Sequence, residues 1–120
     1  MRGLIRSASS LLLFASASFA FDVVDPVLVP YFPNGTINLA LAPSIVDIAS
    51  NLGVDVMLLG GSNSEWPSMS DDERMSLLGA FSGAIRARRA SSSSSHTPRL
   101  MFHTGSTNLF AAAAMTAAAD

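Results

Sequence analysis

The sequence predicts an α/β fold with parallel strands, built as three βα units. Two bounded apolar runs, residues 23–29 and 54–59, read as strands, and the second lacks the polar alternation of a sheet with one wet face. Stretches of helical periodicity follow each of them. Connections are short apart from one serine-rich segment, so consecutive strands lie parallel with right-handed crossovers. An open doubly wound sheet and a barrel both satisfy this order.

At 120 residues and 12.5 kDa the chain makes one domain at most. Its formal charge is −2 and only 13% of residues are charged, which excludes the electrostatic footprint of a nucleic-acid binder. Hydrophobic residues reach 49%, enough for a core. There is no cysteine, hence no disulfide or thiol chemistry. His96 and His103 lack partners at metal-ligand spacing, and no GxGxxG or P-loop follows a strand. The sequence therefore implies no metal and no cofactor. All seven basic residues are arginines, so the chain contains no lysine.

Residues 1–20 read as a targeting segment outside the fold. Arg2 and Arg6 precede the apolar Leu11-Leu12-Leu13-Phe14, and Ser18-Phe19-Ala20 offers small residues for cleavage. A secretory signal places the protein outside the cell or in the endomembrane lumen. The alternatives are a transit peptide for mitochondrion or plastid, or an anchoring helix. The run is too short and too serine-rich for a stable membrane span of ~20 residues.

The first strand is closed by Pro30 and by the turn Pro33-Asn34-Gly35. Leu39, Leu41, Ile45, Val46, Ile48, Ala49 and Leu52 then share a helical face, with Pro43 in the first turn and Gly53 just past the end. After the second strand, Ser70-Asp71-Asp72-Glu73 reads as a capping box, and Met75, Leu78, Phe81 and Ile85 give the next helix its apolar face. Arg86, Arg88 and Arg89 complement that helix's dipole in its last turn. Residues 86–98, with serines 91–95, form an insertion whose plain reading is a surface linker; a phosphorylatable or anion-binding linker is the functional alternative. Leu100-Met101-Phe102-His103 is the third strand, and residues 108–119 are an alanine-rich helix.

The stretch that organises the rest runs from Leu58 to Arg74: the end of the second strand, a polar turn and a helix start. In α/β folds such turns collect ligand groups above a rigid sheet. Ser62 offers a hydroxyl donor and Asn63 an amide donor, both suited to an anion. A solvated loop whose Ser and Asn satisfy local backbone is the plainer reading of the same residues.

These residues resemble the pyruvate-dependent class I aldolases related to N-acetylneuraminate lyase and dihydrodipicolinate synthase. Gly61-Ser62-Asn63-Ser64-Glu65 is similar to that family's G-[ST]-[TN]-G-E, and Ser70-Asp71-Asp72-Glu73-Arg74 to its Ser-x-x-Glu-Arg helix start. Asn34-Gly35-Thr36-Ile37-Asn38 looks like its turn after strand one, and Phe102-His103-Thr104-Gly105 like the His-x-Gly after strand three in lyases. The resemblance implies that residues 21–120 are the first three βα units of a TIM (β/α)8 barrel, interrupted by the insertion at 86–98. It implies a Schiff-base carbon–carbon lyase that cleaves a 2-oxo acid sugar such as N-acetylneuraminate to pyruvate and an aldehyde. A 4-hydroxy-2-oxoglutarate aldolase, a dihydrodipicolinate synthase-like enzyme or a non-catalytic α/β fragment are the alternatives.

Ser62 and Asn63 would then bind the substrate carboxylate, Gly61 and Glu65 would support the turn, and Trp66 and Pro67 would wall the mouth. The full-length family member would be a homo-oligomer. Two departures matter. Asn63 replaces the lyase threonine, as in the 4-hydroxy-2-oxoglutarate aldolases. Ser64 replaces a glycine, and if that position needs positive φ a serine there costs roughly 1 kcal/mol. The family's Schiff-base lysine and catalytic tyrosine sit on later strands, so no catalytic residue is expected here. Eight strands and ~250 residues make a complete barrel, so the chain reads as an N-terminal fragment without activity of its own.

Overall fold

A computed structural model describes residues 21–91, 96–106 and 109–119. The proposed targeting segment, serines 92–95 and the start of the last helix at Asn108 lie outside the described residues. The elements run β1 (Val24–Pro26), α1 (Ala42–Asn51), β2 (Val56–Leu59), α2 (Asp71–Ser91), β3 (Arg99–Phe102) and α3 (Leu109–Ala119). The sheet order is β1-β2-β3 and every pairing is parallel, with Asp25 opposite Met57 and Met57 opposite Leu100.

Each strand is shorter or shifted relative to its apolar run. β1 ends at Pro26, which has no N–H for the ladder, although the Val27 N–H still donates to the Leu58 carbonyl at 3.0 Å. β2 begins at Val56 because the backbone of Val54 belongs to the end of α1. There the Val54 N–H donates to Ala49 and the Gly53 N–H to Ser50, a Schellman closure with Gly53 at φ 76°. β3 starts one residue early, at Arg99, and the His103 N–H continues its line to the Leu59 carbonyl at 2.9 Å.

The core lies between the sheet and the helices α1 and α2. Val27, Met57 and Leu59 meet Val46, Ala49, Leu77, Phe81 and Ile85, all buried, with Leu100 and Phe102 packed at the margin. Val46 and Ala49 come from the expected face of α1, with Pro43 in its first turn. On α2 the buried stripe is Arg74, Leu77, Phe81 and Ile85, so the expected face is rotated at its start. Met75 turns instead towards α3, where it lines a small groove with Ala114 and Met115. The second strand, expected to be covered on both faces, is buried at Val56, Met57 and Leu59 and half-buried at Leu58. Away from the helices, Val24 and Met101 of the flanking strands and Leu28 just past β1 are exposed among the described residues.

Polar contacts stitch the amino-terminal edge of the sheet. Asp55 accepts a bond from the Val23 N–H at 2.8 Å, His96 Nε2 lies 2.7 Å from the Val54 carbonyl, and Arg99 pairs with Asp22. Arg88 reaches from α2 to Asp47 at 2.5 Å and to Asn51 at 3.3 Å, tying the two helices together. No described helix is long and apolar enough to cross a membrane.

The capping box of α2 forms as expected. The Ser70 N–H donates to the Glu73 carboxylate at 2.8 Å, and the Glu73 N–H to the Ser70 hydroxyl at 3.2 Å. These bonds, the backbone one first, hold the Glu73 carboxyl below its ordinary value of 4.5. A group depressed on folding stabilises above its unfolded pKa and loses that contribution as pH falls through the folded one. Denaturant midpoints measured from neutral pH into the acid range should therefore fall below about pH 4.5. In Glu73→Gln that part of the pH dependence should be absent, and an identical profile in wild type and variant would refute the assignment.

Candidate active site

The turn between β2 and α2 is built in two short 3-10 turns, Ser62–Ser64 and Trp66–Ser68, joined at Glu65. Glu65 carries the left-handed conformation, φ 55° and ψ 35°. The condition for strain at Ser64, a positive φ, is not met there; the left-handed residue is the next one. Ser64 itself takes ordinary 3-10 geometry and is buried. Its hydroxyl donates to the Val27 carbonyl at 2.6 Å, 37 residues away. That bond fastens the turn to the chain leaving β1, a function no glycine could supply.

Around this anchor the expected site residues separate by role. Gly61 is buried, and its carbonyl accepts the Ser64 N–H at 2.9 Å. Ser62 and Asn63 are exposed above the carboxyl end of the central strand. Asn63 lines an open cleft of about 420 Å³ with Asp25, Pro26, Val27, Leu28 and Ile45. Glu65 holds the turn through its backbone, giving its N–H to Ser62 and accepting from Ser68. Its side chain faces a second cleft of about 240 Å³ shared with Tyr31 and Glu73. Burial, and then the charges of Glu65 and Glu73, push the Tyr31 phenol above its usual 10.0.

One group was not assigned a role from sequence. Arg74 is 2% exposed. Its guanidinium lies 5.3 Å from the Trp66 ring and 5.8 Å from the Phe102 ring, and Nη2 donates to the His103 carbonyl at 2.5 Å. Asp71, at 3.8 Å, is its nearest carboxylate. Arg74 Nε has no hydrogen-bond partner among the described residues. The signal was available: 74, 77, 81 and 85 follow helical spacing, but an arginine in a first turn reads as solvated. Trp66 is half-buried against the core, with its ring 5.5 Å from that of His103. Gly105 leaves room for the His103 imidazole; a Cβ there would stand 2.4 Å from the ring, which would have to shift. His96 sits at the opposite end of β3, so the two histidines do not converge.

Three parallel strands in the order β1-β2-β3, with helices packed on one face, match part of an α/β barrel, an architecture that carries its ligand groups at the carboxyl ends of the strands. The chain belongs to the dihydrodipicolinate synthetase family, whose sequence model matches residues 20–120, and so to the pyruvate-dependent class I aldolases. Its fold is similar to that of dihydrodipicolinate synthase DapA-2 from Bacillus anthracis, with TM-score 0.69 and 21% identity over 82% of this chain and 30% of that one. The Aquifex aeolicus dihydrodipicolinate synthase gives 0.69 and 16% over the same shares. N-acetylneuraminate lyase from Mycoplasma synoviae gives 0.67 and 19% over 82% of this chain and 32% of that one. No curated protein gives a significant match. At these identities the likeness shows the fold, and the chain spans about 30% of the length of these structures.

The Ser64 anchor can be tested directly. Ser64→Ala leaves the Val27 carbonyl without its buried donor and should lower unfolding free energy by about 1–3 kcal/mol in urea titration. A change within error would show that the bond does not hold the turn.

Proposed function

We propose that this chain supplies the carboxylate-binding face of a pyruvate-releasing aldolase. The observation that supports the reading is the β2–α2 turn, which presents the Ser62 hydroxyl and the Asn63 amide at the end of the central parallel strand. Both groups donate to a carboxylate oxygen, and a charge-assisted bond to a fixed donor orients the 2-oxo acid. Gly61 and Glu65 shape the turn through their backbone, and Ser64 ties it to Val27. N-acetylneuraminate is the first-choice substrate, cleaved to pyruvate and an aldehyde. Asn63, which resembles the 4-hydroxy-2-oxoglutarate aldolases, favours that branch as a second reading, and a dihydrodipicolinate synthase-like activity is the third.

Carbon–carbon cleavage in this reading requires an amine that condenses with the 2-oxo carbonyl, and a group that moves the proton. The 120 residues hold no lysine. The only tyrosine, Tyr31, has a raised pKa and faces Glu65 and Glu73, so the phenol stays protonated near neutral pH. These residues therefore bind and orient, while the covalent chemistry belongs to later strands of a complete barrel. The targeting reading of residues 1–20 adds a lumenal, secreted or organellar location to the proposal.

In an active barrel containing these strands, replacing Ser62 and Asn63 together by alanine should raise KM for the 2-oxo acid. The loss in kcat/KM should correspond to about 1–3 kcal/mol. Unchanged kinetics would remove both residues from the site. The 120-residue chain alone should show no aldolase turnover and no borohydride-trapped pyruvate adduct on an internal residue. Positioning of the amine supplies much of the rate enhancement, and the chain has no internal primary amine to position. A stoichiometric mass gain mapped inside the chain would overturn this.

A further inference from the structure

The carboxylate site leaves the end of α2 without a role. Ser91 is the last residue of that helix and is exposed, and Arg88-Arg89-Ala90 lead directly into it. Its hydroxyl donates to the Arg88 carbonyl at 3.2 Å, a contact within a terminal turn that fraying releases. Arg89 is exposed and gives a long bond, 3.4 Å, to the Pro98 carbonyl. Arg88 lies in the seam between α1 and α2, bonded to Asp47 and Asn51.

We propose that Ser91 is a phosphorylation site for a serine/threonine kinase that selects arginine two and three residues before the acceptor, and that its phosphate loosens the Arg88 bridge between α1 and α2. Spacing singles out one serine from a run of five. Ser91 has Arg89 two residues before it and Arg88 three before, Ser92 has only Arg89 at three, and serines 93–95 have neither. Guanidinium groups at those positions are read by acidic side chains of the kinase through paired, charge-assisted bonds. In the step itself the Ser91 oxygen bonds to the γ-phosphorus of ATP while the bond to the β–γ bridging oxygen breaks. The hydroxyl proton passes to the kinase's base, and ADP leaves.

The product places a charge of about −1.5 to −2 at the negative end of the helix dipole. Arg88 is three residues back, on the same face of the turn, where side chains are neighbours. The phosphate dianion competes for its guanidinium with the largely exposed carboxylate of Asp47 and the amide oxygen of Asn51. A charge that disfavours the last turn and a stronger acceptor for Arg88 act in the same direction on the seam.

The test uses the full 120-residue chain with an arginine-directed kinase, magnesium and ATP, read by intact mass and fragment mapping. One phosphate is expected, on Ser91. Ser91→Ala and Arg89→Ala should each slow initial incorporation roughly tenfold or more, the loss of one charge-assisted contact or of the acceptor. Arg89→Ala leaves the Asp47 bridge intact, and unmodified Ser91→Ala should match wild type in amide exchange, which excludes misfolding as the cause. In the phosphorylated chain, amides of residues 86–91 should exchange several-fold faster. No incorporation, a phosphate mapped elsewhere, or variants that react at the wild-type rate would overturn the site. Unchanged exchange would overturn its effect on the seam.

Discussion

A cation with almost no access to water joins the two loops that make the candidate site. Burying a guanidinium is costly unless its charge and donors are met. For Arg74 the compensation is the His103 carbonyl, the faces of Trp66 and Phe102, and Asp71 at 3.8 Å. Those partners come from the β2–α2 turn, the end of β3 and the first turn of α2. One side chain thus fixes the relative placement of three segments that sequence separates by up to 37 residues, counted from Trp66 to His103. A lysine would give a point charge without the planar surface that two rings cover.

The turn carrying Ser62 and Asn63 is held from the other side by Ser64 and the Val27 carbonyl. With Arg74 on the β3 side and Ser64 on the β1 side, the turn is tied to both edge strands. Glu65 accepts the left-handed backbone that this geometry requires. Exposed donors are useful for recognition only when their backbone is fixed, because a ligand otherwise bears the ordering entropy. Here Ser64 and Arg74, which tie the turn to its neighbours, are buried, while Ser62 and Asn63 face solvent.

The remaining architecture supports that end of the sheet without entering it. Helices cover one face of the sheet, and Asp55, His96, Arg99 and Asp22 close its amino-terminal edge. The opposite face displays Val24, Leu28 and Met101 among the described residues. In a (β/α)8 barrel the helices lie outside, so the face away from them is the inward one.

Sequence alone determined the order of elements, their parallel arrangement, the capping box and the glycine end of α1. Each of these rests on local chemistry: apolar runs of strand length, a hydroxyl and carboxylate three residues apart, a glycine where the chain must turn left. Tertiary structure decided the strand limits, because Pro26 lacks a donor and Val54 is committed to the helix cap. It also placed the positive φ at Glu65, gave Ser64 a carbonyl 37 residues away, and buried Arg74. Helical spacing puts Arg74 on the buried stripe, but the partners of Arg74 and Ser64 meet only after three strands have paired.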